Sequence, residues 1–452
     1  MERITVIGGG LAGCSAALTL ARLGHEVDLW EMRPHTPTPA HSTGNLAELV
    51  CSNSFKGLGV TGAHGLLKEE LRRWGSDMIE AAFQARVPAG ESLAIDREAF
   101  SKAVEARIAA QPRIALHRGE VTSIDPNRWT LVAAGPLASR SLTDALLGLV
   151  EGEGGGRLSF FDAIAPVVTV DSLDWDHCWK ANRWEKGETT DFINCSLDKE
   201  TYREFVAGLV EADAVEPKPF EPKELFEGCL PIEEMARRGA ETLRHGPLRP
   251  VGLDDPKTGR WPHAVLQLRA ENREGTLFNL VGCQTRLRFG EQTRLFRLIP
   301  ALRNAEFARL GAMHRNTFLD SPSLLERDFS LRRSPRTFLA GQITGAEGYT
   351  EALATGFHAA VCLHQKKTDS VNPLPEATML GSLVAHLTTP REAGAPTFQP
   401  MNAHFGLLPQ PPVPAGMRKL DKGTKKELQA AAALELGTAW ARNALPWEVA
   451  AS

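Results

Sequence analysis

Two cysteines stand where a thiol could do chemistry. Cys229 lies two residues ahead of Pro231 in Phe226-Glu227-Gly228-Cys229-Leu230-Pro231, and proline suits the first position of a helix. A thiol just before a helix N-terminus meets the positive end of the dipole, which favours the thiolate, the nucleophilic form. Glu233 and Glu234 partly oppose this, and arginines further along could offset them. The alternative for Cys229, a small buried hydrophobe, stays open on local sequence. Cys51 is followed by Ser52-Asn53-Ser54, whose hydroxyl and amide groups can hydrogen-bond a thiolate. The cysteines at 14, 178, 195, 283 and 362 lie in apolar or unremarkable contexts and read as structural. No C-x-x-C pair and no zinc-spaced cluster occurs, so no metal is expected.

Phosphate chemistry is written at the start of the chain. Ile4-Thr5-Val6-Ile7 is a β-branched run that leads into Gly8-Gly9-Gly10-Leu11-Ala12-Gly13. Gly8 allows a tight turn, Gly10 removes a side chain that would block a pyrophosphate, and Gly13 lets a helix pack close to the sheet. The spacing predicts a helix over 14–23 and a second strand over 27–30, closing on Glu31. A carboxylate there is placed to accept hydrogen bonds from an adenosine ribose. A second strand–glycine–helix unit lies far downstream: a strand from Thr337 to Gly341, then Gln342 to Thr350, then a helix from about Glu351 to Leu363. Such a unit can close a split flavin-binding fold and aim a helix N-terminus at the ring. Tyr349, one of two tyrosines, falls in that turn. His314 offers a flat ring that could stack on a pterin or nicotinamide, or be packed as an ordinary core histidine.

The elements around these residues give the organisation. The 452 residues are 42% hydrophobic and 23% charged, ordinary values for a globular protein. No apolar run is long enough to span a bilayer, and the first strand starts almost at Met1, so a cytoplasmic location with no membrane partner is expected. Net charge is −4, yet residues 237–336 carry nineteen Lys+Arg against ten Asp+Glu, a balance of +9. A basic segment on an acidic chain suits a polyanion, and Arg286, Arg288, Arg294 and Arg297 are its candidate phosphate contacts.

An amphipathic helix is expected over 66–82, short strands over 114–116 and 121–124, and a strand from Thr130 ending in small residues. Glu151 to Gly156 is acidic and glycine-rich, a boundary signal. A tryptophan-rich polar region follows to about Asn194. Further on, 197–213 and 231–238 read as helices and 264–270 pairs with 276–285. Residues 371–418 are proline-rich with little periodicity, and 419–443 reads as a peripheral alanine-rich helix. The fold class expected is α/β, a discontinuous Rossmann-like FAD-binding domain (1–147 and 311–418) with an inserted α+β domain (148–310) and a peripheral C-terminal helix and tail (419–452).

Long stretches resemble a known family. They include VIGGGLAG (6–13), DLWEMRP (28–34), TPAHSTGNLAELVCSNS (38–54), RVPAGESLAIDREAFS (86–101), LFEGCLPIEEMARRGAETL (225–243), AVLQLRAEN (264–272), MHRNTFLDSP (313–322) and FLAGQITGAEGYTEALATG (338–356). By these the chain resembles, nearly end to end, the folate- and FAD-dependent tRNA uracil-5-methyltransferases (TrmFO), relatives of the GidA/MnmG tRNA-modifying flavoproteins. Gly9 and Ala352 depart from the family's more usual alanine and serine.

The resemblance implies that reduced FAD carries the methylene of methylenetetrahydrofolate to C5 of the T-loop uridine of tRNA, with NADH or NADPH as reductant. It selects Cys229 as the thiol that adds to uracil C6 and Cys51 as the second cysteine, a base or proton relay at C5. It assigns Gly8–Gly13, Glu31, Gly341, Gln342 and Tyr349 to the flavin cofactor and His314 to folate or nicotinamide stacking. No obligate protein partner is expected. The alternatives are a GidA-like enzyme modifying a wobble uridine, for which the C-terminal region is short, and a non-enzymatic FAD-bound tRNA-binding protein.

Overall fold

The computed structural model describes residues 2–150, 157–163, 165–185, 190–215, 230–311, 313–392, 398–412 and 420–449, with the side chains of 157–163 and 313–316 left aside. Two six-stranded sheets carry the architecture. The first is built from both ends of the chain. Its order is Ser330–Leu331, Ser334–Leu339, Thr130–Val132, Ile4–Ile7, Val27–Glu31, Ile114–Arg118. All its pairings are parallel except that of Ser330–Leu331. Leu131 lies between Val6 and Phe338, so the downstream strand completes the sheet that Ile4–Ile7 begins. Helix Leu11–Arg22 is buried almost along its whole length, as a helix covering a parallel sheet must be.

The second sheet lies wholly between residues 167 and 309 and is antiparallel. Its order is Cys178–Lys180, Phe192–Leu197, Ala264–Ala270, Leu277–Leu280, Val167–Thr169, Phe307–Arg309. Helices Lys199–Glu211 and Phe289–Phe296 cover it, with Tyr202, Phe205, Leu295 and Phe296 in its core. Asp198 caps the first of these helices by accepting from the Thr201 amide at 2.8 Å. The two-stranded ribbon Arg157–Ala163 with Met313–Leu319 marks the passage between the two units.

The expected strands and glycine units appear at their predicted places, with several differences. Helix Leu11–Arg22 starts three residues early, inside the glycine motif. The helix expected over 66–82 is two, Ala63–Arg73 and Asp77–Gln84. Gly75, at φ +74°, breaks it in a conformation only glycine adopts without strain. Residues 121–124 form no strand, and the strand expected over 114–116 runs on to Arg118 as the sheet edge. Residues 197–213 begin with the end of a strand, and the helix occupies Lys199–Glu211. The proline-rich stretch contains helix Met379–Thr388, whose apolar residues are buried together and so show no amphipathic period. The C-terminal helix Lys422–Ala444 is not peripheral: Ala433 and Ala441 are buried, and Trp440 meets Trp74 edge-on at 5.0 Å. The boundary at 151–156 lies outside the described residues.

Candidate functional site

The two glycine units meet face to face. Gly8 takes φ +107°, where a Cβ would run into the carbonyl of Ala133 at the end of strand Thr130–Val132. A Cβ on Gly13 would overlap the Gly8 carbonyl oxygen, whereas one on Gly10 would meet nothing within 4 Å. So Gly13 serves close packing, and Gly10 borders open space beside the helix start. A Cβ on Gly341 would come 2.9 Å from the Ala12 Cβ, and one on Gly356 would overlap the Ala12 carbonyl. Helix Tyr349–Lys367 is thereby pressed against helix Leu11–Arg22. Each begins at a glycine, Gly10 or Gly348, with no side-chain cap. The first-turn N–H groups of helix Leu11–Arg22 are therefore left to an anion, as a dinucleotide's pyrophosphate requires, whereas the first turn of helix Tyr349–Lys367 carries the buried carboxylate of Glu351.

Glu31 ends its strand as expected and is buried. Its Oε2 accepts from the Gly9 amide at 2.9 Å, and its Oε1 from the Arg33 amide at 2.9 Å and Arg33 Nε at 2.9 Å. Burial pushes the carboxyl up, but the Arg33 guanidinium outweighs it and holds the carboxyl below its usual range. Arg33 also reaches Glu48 at 3.0 Å. A ribose at Glu31 would therefore share or replace a hydrogen bond now made by Arg33.

Cys51 lies on an irregular segment between these units, neither a strand nor a helix end. The segment is tied to the glycine turn by the Ala47 amide donating to the Gly9 carbonyl at 2.9 Å. The Cys51 amide donates to the Tyr349 hydroxyl at 2.9 Å. The Cys51 carbonyl accepts from Arg97 Nη2 at 2.8 Å, and Arg97 also holds the Leu49 carbonyl. Tyr349 is half-buried, its ring 5.6 Å from Phe55. Gln342 follows Gly341 and donates to Glu347 at 2.6 Å.

The inserted sheet closes on the same segment. Arg97 Nε donates to Glu271 at 2.6 Å, and Glu271 accepts from Asn279 at 2.5 Å. Asn53, fully buried, donates to the Ala270 carbonyl at 2.8 Å and accepts from Arg269 at 3.0 Å. Burial pushes Glu271 up, and Arg97 more than reverses this. Burial lowers Arg269, and burial followed by Arg97 lowers Arg309. Three guanidiniums thus share one carboxylate, and all three interact electrostatically with Cys51 and Tyr349. Arg309 Nε is buried without a hydrogen-bond partner among the described residues. A cavity of about 550 Å³ opens here between Arg97, Glu271, Arg273 and Arg309. Its lining balances Arg97, Lys102, Arg273 and Arg309 against Asp96, Glu98, Glu271 and Glu274, with the unpartnered Arg309 Nε among its cations.

Sequence reasoning missed this clamp. Its only trace was that Arg97, Arg269 and Glu271 fall within two of the resembling stretches. Cys229 lies outside the described residues. The helix expected after it is Ile232–Arg237, with Pro231 as its N-cap. Glu233 in its first turn accepts from the Arg286 amide at 2.9 Å and from the Thr285 hydroxyl at 2.8 Å. His314 lies on strand Met313–Leu319, in register with Asp162.

The four arginines part company. Arg286 is largely buried and ion-paired to Glu234, with Glu233 at 3.9 Å, so it fastens the helix after Cys229 and is not offered to a phosphate. Arg288, Arg294 and Arg297 are exposed along helix Phe289–Phe296. Arg294 pairs with Glu291 at 2.6 Å, and Arg297 holds the Ala305 carbonyl at 3.0 Å. Among the described residues no cluster could hold a metal ion, and no helix is long and apolar enough to cross a membrane.

Comparison with known proteins gives the family. Residues 3–370 match the family model described as glucose inhibited division protein A. A Geobacter sulfurreducens protein named methylenetetrahydrofolate--tRNA-(uracil-5-)-methyltransferase TrmFO is 52% identical over 434 residues, 96% of this chain and 98% of that one. A Bdellovibrio bacteriovorus protein of the same name is 46% identical over 441 residues, 97% and 98% of the two chains. Among solved structures, Aquifex aeolicus GidA superposes with a TM-score of 0.66 at 15% identity, over 96% of this chain and 74% of that one. That likeness speaks for the fold alone.

Proposed function

The chain belongs to the GidA family and, within it, to the TrmFO tRNA (uracil-5-)-methyltransferases, and from that premise we propose how its residues divide the reaction. The substrates are tRNA and methylenetetrahydrofolate, on a scaffold that binds FAD. FAD, when bound and reduced by NADH or NADPH, supplies the carrier for the methylene group. The first-turn amides of helix Leu11–Arg22 receive its pyrophosphate, with Gly10 leaving room for it. Glu31 receives the ribose, and Gly341, Gln342 and Tyr349 border the ring. His314 stacks on the folate or the nicotinamide.

Uracil C5 is a weak nucleophile. Addition of the Cys229 thiolate to C6 forms an S–C6 bond, and the C5=C6 electron pair moves toward C5 and O4. C5 then attacks the one-carbon unit at the methylene level; the unit's bond to the carrier would break, and a hydride equivalent drawn from NADH or NADPH through the bound cofactor would bring the methylene to methyl. Cys51 takes the proton from C5, and expulsion of the Cys229 sulfur restores the C5=C6 double bond. The observation that carries this reading is the 2.9 Å bond from the Cys51 amide to the Tyr349 hydroxyl. It supports placing a thiol at the mouth of the flavin cradle.

The target is the T-loop uridine, and the enzyme works in the cytoplasm without membrane or obligate protein partner. The domain division at 147, 310 and 418 is supported by the two sheets, with the C-terminal helix joined to the first. A wobble-uridine activity is less supported, since relatives near 50% identity over nearly their whole length carry the methyltransferase name. The test is mass spectrometry of tRNA after incubation with carbon-labelled methylenetetrahydrofolate, NADPH and enzyme. The label is expected on uracil C5 of the T-loop. Label from S-adenosylmethionine alone, or none on tRNA, overturns the proposal.

A further inference from the structure

The tryptophan-rich stretch of the inserted unit is not used by the site above. One of its indoles, Trp184, is held outward beside Trp261, which comes later in the inserted unit. Trp184 is 57% exposed and Trp261 48%, and their rings meet edge-to-face at 6.2 Å. A monomer with nothing to bind has little reason to leave two neighbouring tryptophans in water. The backbone is bent to present them. Trp184 takes φ 60° and Glu185 φ 53°, consecutive left-handed residues that are not glycine. Such conformations persist only where the surroundings enforce them and gather at functional positions. Here the enforcement is visible. The Trp184 amide donates to the Gly252 carbonyl at 2.9 Å, and the ring lies on Gly252, where a Cβ would come 2.6 Å from its carbon atoms. Gly252 itself takes φ +82°.

Guanidiniums lie beside the indoles. Arg183 is fixed by the Arg249 carbonyl at 2.9 Å, by Gln267 at 3.1 Å and by the Val251 carbonyl. Burial, and then the neighbouring Arg249, lower its pKa. Arg249 and Arg260 are exposed and make no ion pair among the described residues. Lys257 is exposed too, its ammonium donating to the Asp176 carbonyl at 2.5 Å with the Asp176 carboxylate 3.8 Å away. The local carboxylates are Asp176, Glu185, Asp254 and Asp255; Asp176 faces Lys257, and Asp255 caps the Lys257 amide at 2.8 Å. Flat rings interleaved with guanidiniums are the chemistry of unpaired nucleotides: bases stack on the indoles and phosphates meet the arginines.

We infer that Trp184 and Trp261, flanked by Arg183, Arg249 and Arg260, form a stacking platform for unpaired bases of the tRNA substrate, outside the catalytic cleft. The inference rests on the methyltransferase reading for the identity of the RNA. The platform is joined to the cleft by one strand. Trp261 precedes Ala264–Ala270, whose far end carries Arg269 and Glu271 onto the Cys51 segment. That strand spans roughly 20 Å, so an RNA gripped at the platform can still reach the thiol.

The experiment measures tRNA affinity and steady-state kinetics of the FAD-loaded full chain, wild type against Trp184→Ala, Trp261→Ala and Trp184→Phe. Each alanine variant should weaken tRNA binding by about 5- to 100-fold, the range expected for loss of one base stack. KM for tRNA should rise in step, while KM for methylenetetrahydrofolate, kcat at saturating tRNA and the flavin spectrum stay unchanged. Trp184→Phe, which keeps a flat ring, should retain most of the affinity. If wild type binds and methylates tRNA and both alanine variants do so equally well, the platform is refuted and the methyltransferase reading stands. If the variants instead dissociate an oligomer with tRNA affinity unchanged, the face belongs to a second copy of the chain and the inference is equally refuted. A wild type that binds no tRNA refutes both readings together.

Discussion

The backbone amide of Cys51 donates to the hydroxyl of Tyr349 at 2.9 Å, joining residues 298 positions apart. Cys51 belongs to the first half of the flavin-binding unit, and Tyr349 opens the helix that completes it. Arg97 grips the Cys51 carbonyl from the other side and is itself held by Glu271 of the inserted unit. The thiol-bearing segment is therefore fixed only when all three parts of the chain have come together.

Tyr349→Phe removes the acceptor and keeps the ring. An N–H as half-buried as this one, left without its partner, costs at most about 1–3 kcal/mol and frees the Cys51 segment to leave its place. We expect kcat to fall about 10-fold or more while FAD absorbance is retained. Unchanged kcat with FAD bound would show that this bond does not position the thiol.

Glu271→Gln tests the charge clamp. The folded carboxyl lies below its unfolded value, held there by Arg97 against burial. The sign follows: its stabilisation is present above the unfolded carboxylate pKa and is lost as pH falls through the lower folded value. The variant should therefore show a flatter acid limb in stability against pH. Breaking a buried pair costs about 3–5 kcal/mol, visible as a lower denaturant midpoint at neutral pH. A wild-type acid limb in the variant would refute the clamp.

Gly356→Ala places a methyl group against the Ala12 carbonyl, which is backbone and cannot step aside. Forcing the two helices apart should cost about 1–3 kcal/mol and weaken FAD retention through gel filtration. Gly10→Ala meets open space in the folded chain, so it should keep stability and lose FAD. Equal stability and equal FAD content in both variants would remove the glycine cradle from the cofactor site.

The arginines separate by environment. Arg294→Ala and Arg297→Ala should each lower the salt slope of tRNA binding by about 0.7–0.9 for every phosphate that the variant no longer neutralises. Arg286→Ala should instead destabilise the fold, because it strands Glu233 and Glu234 near the helix after Cys229. Salt slopes that do not change at Arg294 and Arg297 would leave the basic helix merely solvated.

The roles of the two thiols can be read from a 5-fluorouridine T-loop substrate, because fluorine does not leave as a proton does. Cys229→Ala should abolish both the covalent adduct and turnover with FAD still bound. Cys51→Ala should block turnover and can still form the adduct. The reverse pattern exchanges the two roles.

Sequence alone determined the parts governed by local rules. The turn Gly8–Gly13 needs positive φ and close approach within six residues, so it is legible without knowing the fold. So is the second turn at Gly341, as is the helix start at Pro231, although the proline stands one place earlier than the first helical position expected for it. The pairing of Ala264–Ala270 with the run after it was likewise legible, although the partner strand is Leu277–Leu280 and stops short of the expected 285. Tertiary structure decided the rest. Helix Met379–Thr388 is buried on several sides and shows no amphipathic period, and Lys422–Ala444 looks solvated until Trp440 meets Trp74. Arg286 reads as one more cation in a basic segment, and only its approach to Glu233 and Glu234 makes it a structural ion pair. Cys51 gains its setting from Arg97, Glu271 and Tyr349, each far away in the chain. Hydrogen bonds and ion pairs act over a few ångströms in space, and no spacing along the sequence records which distant groups the folded backbone brings within that reach.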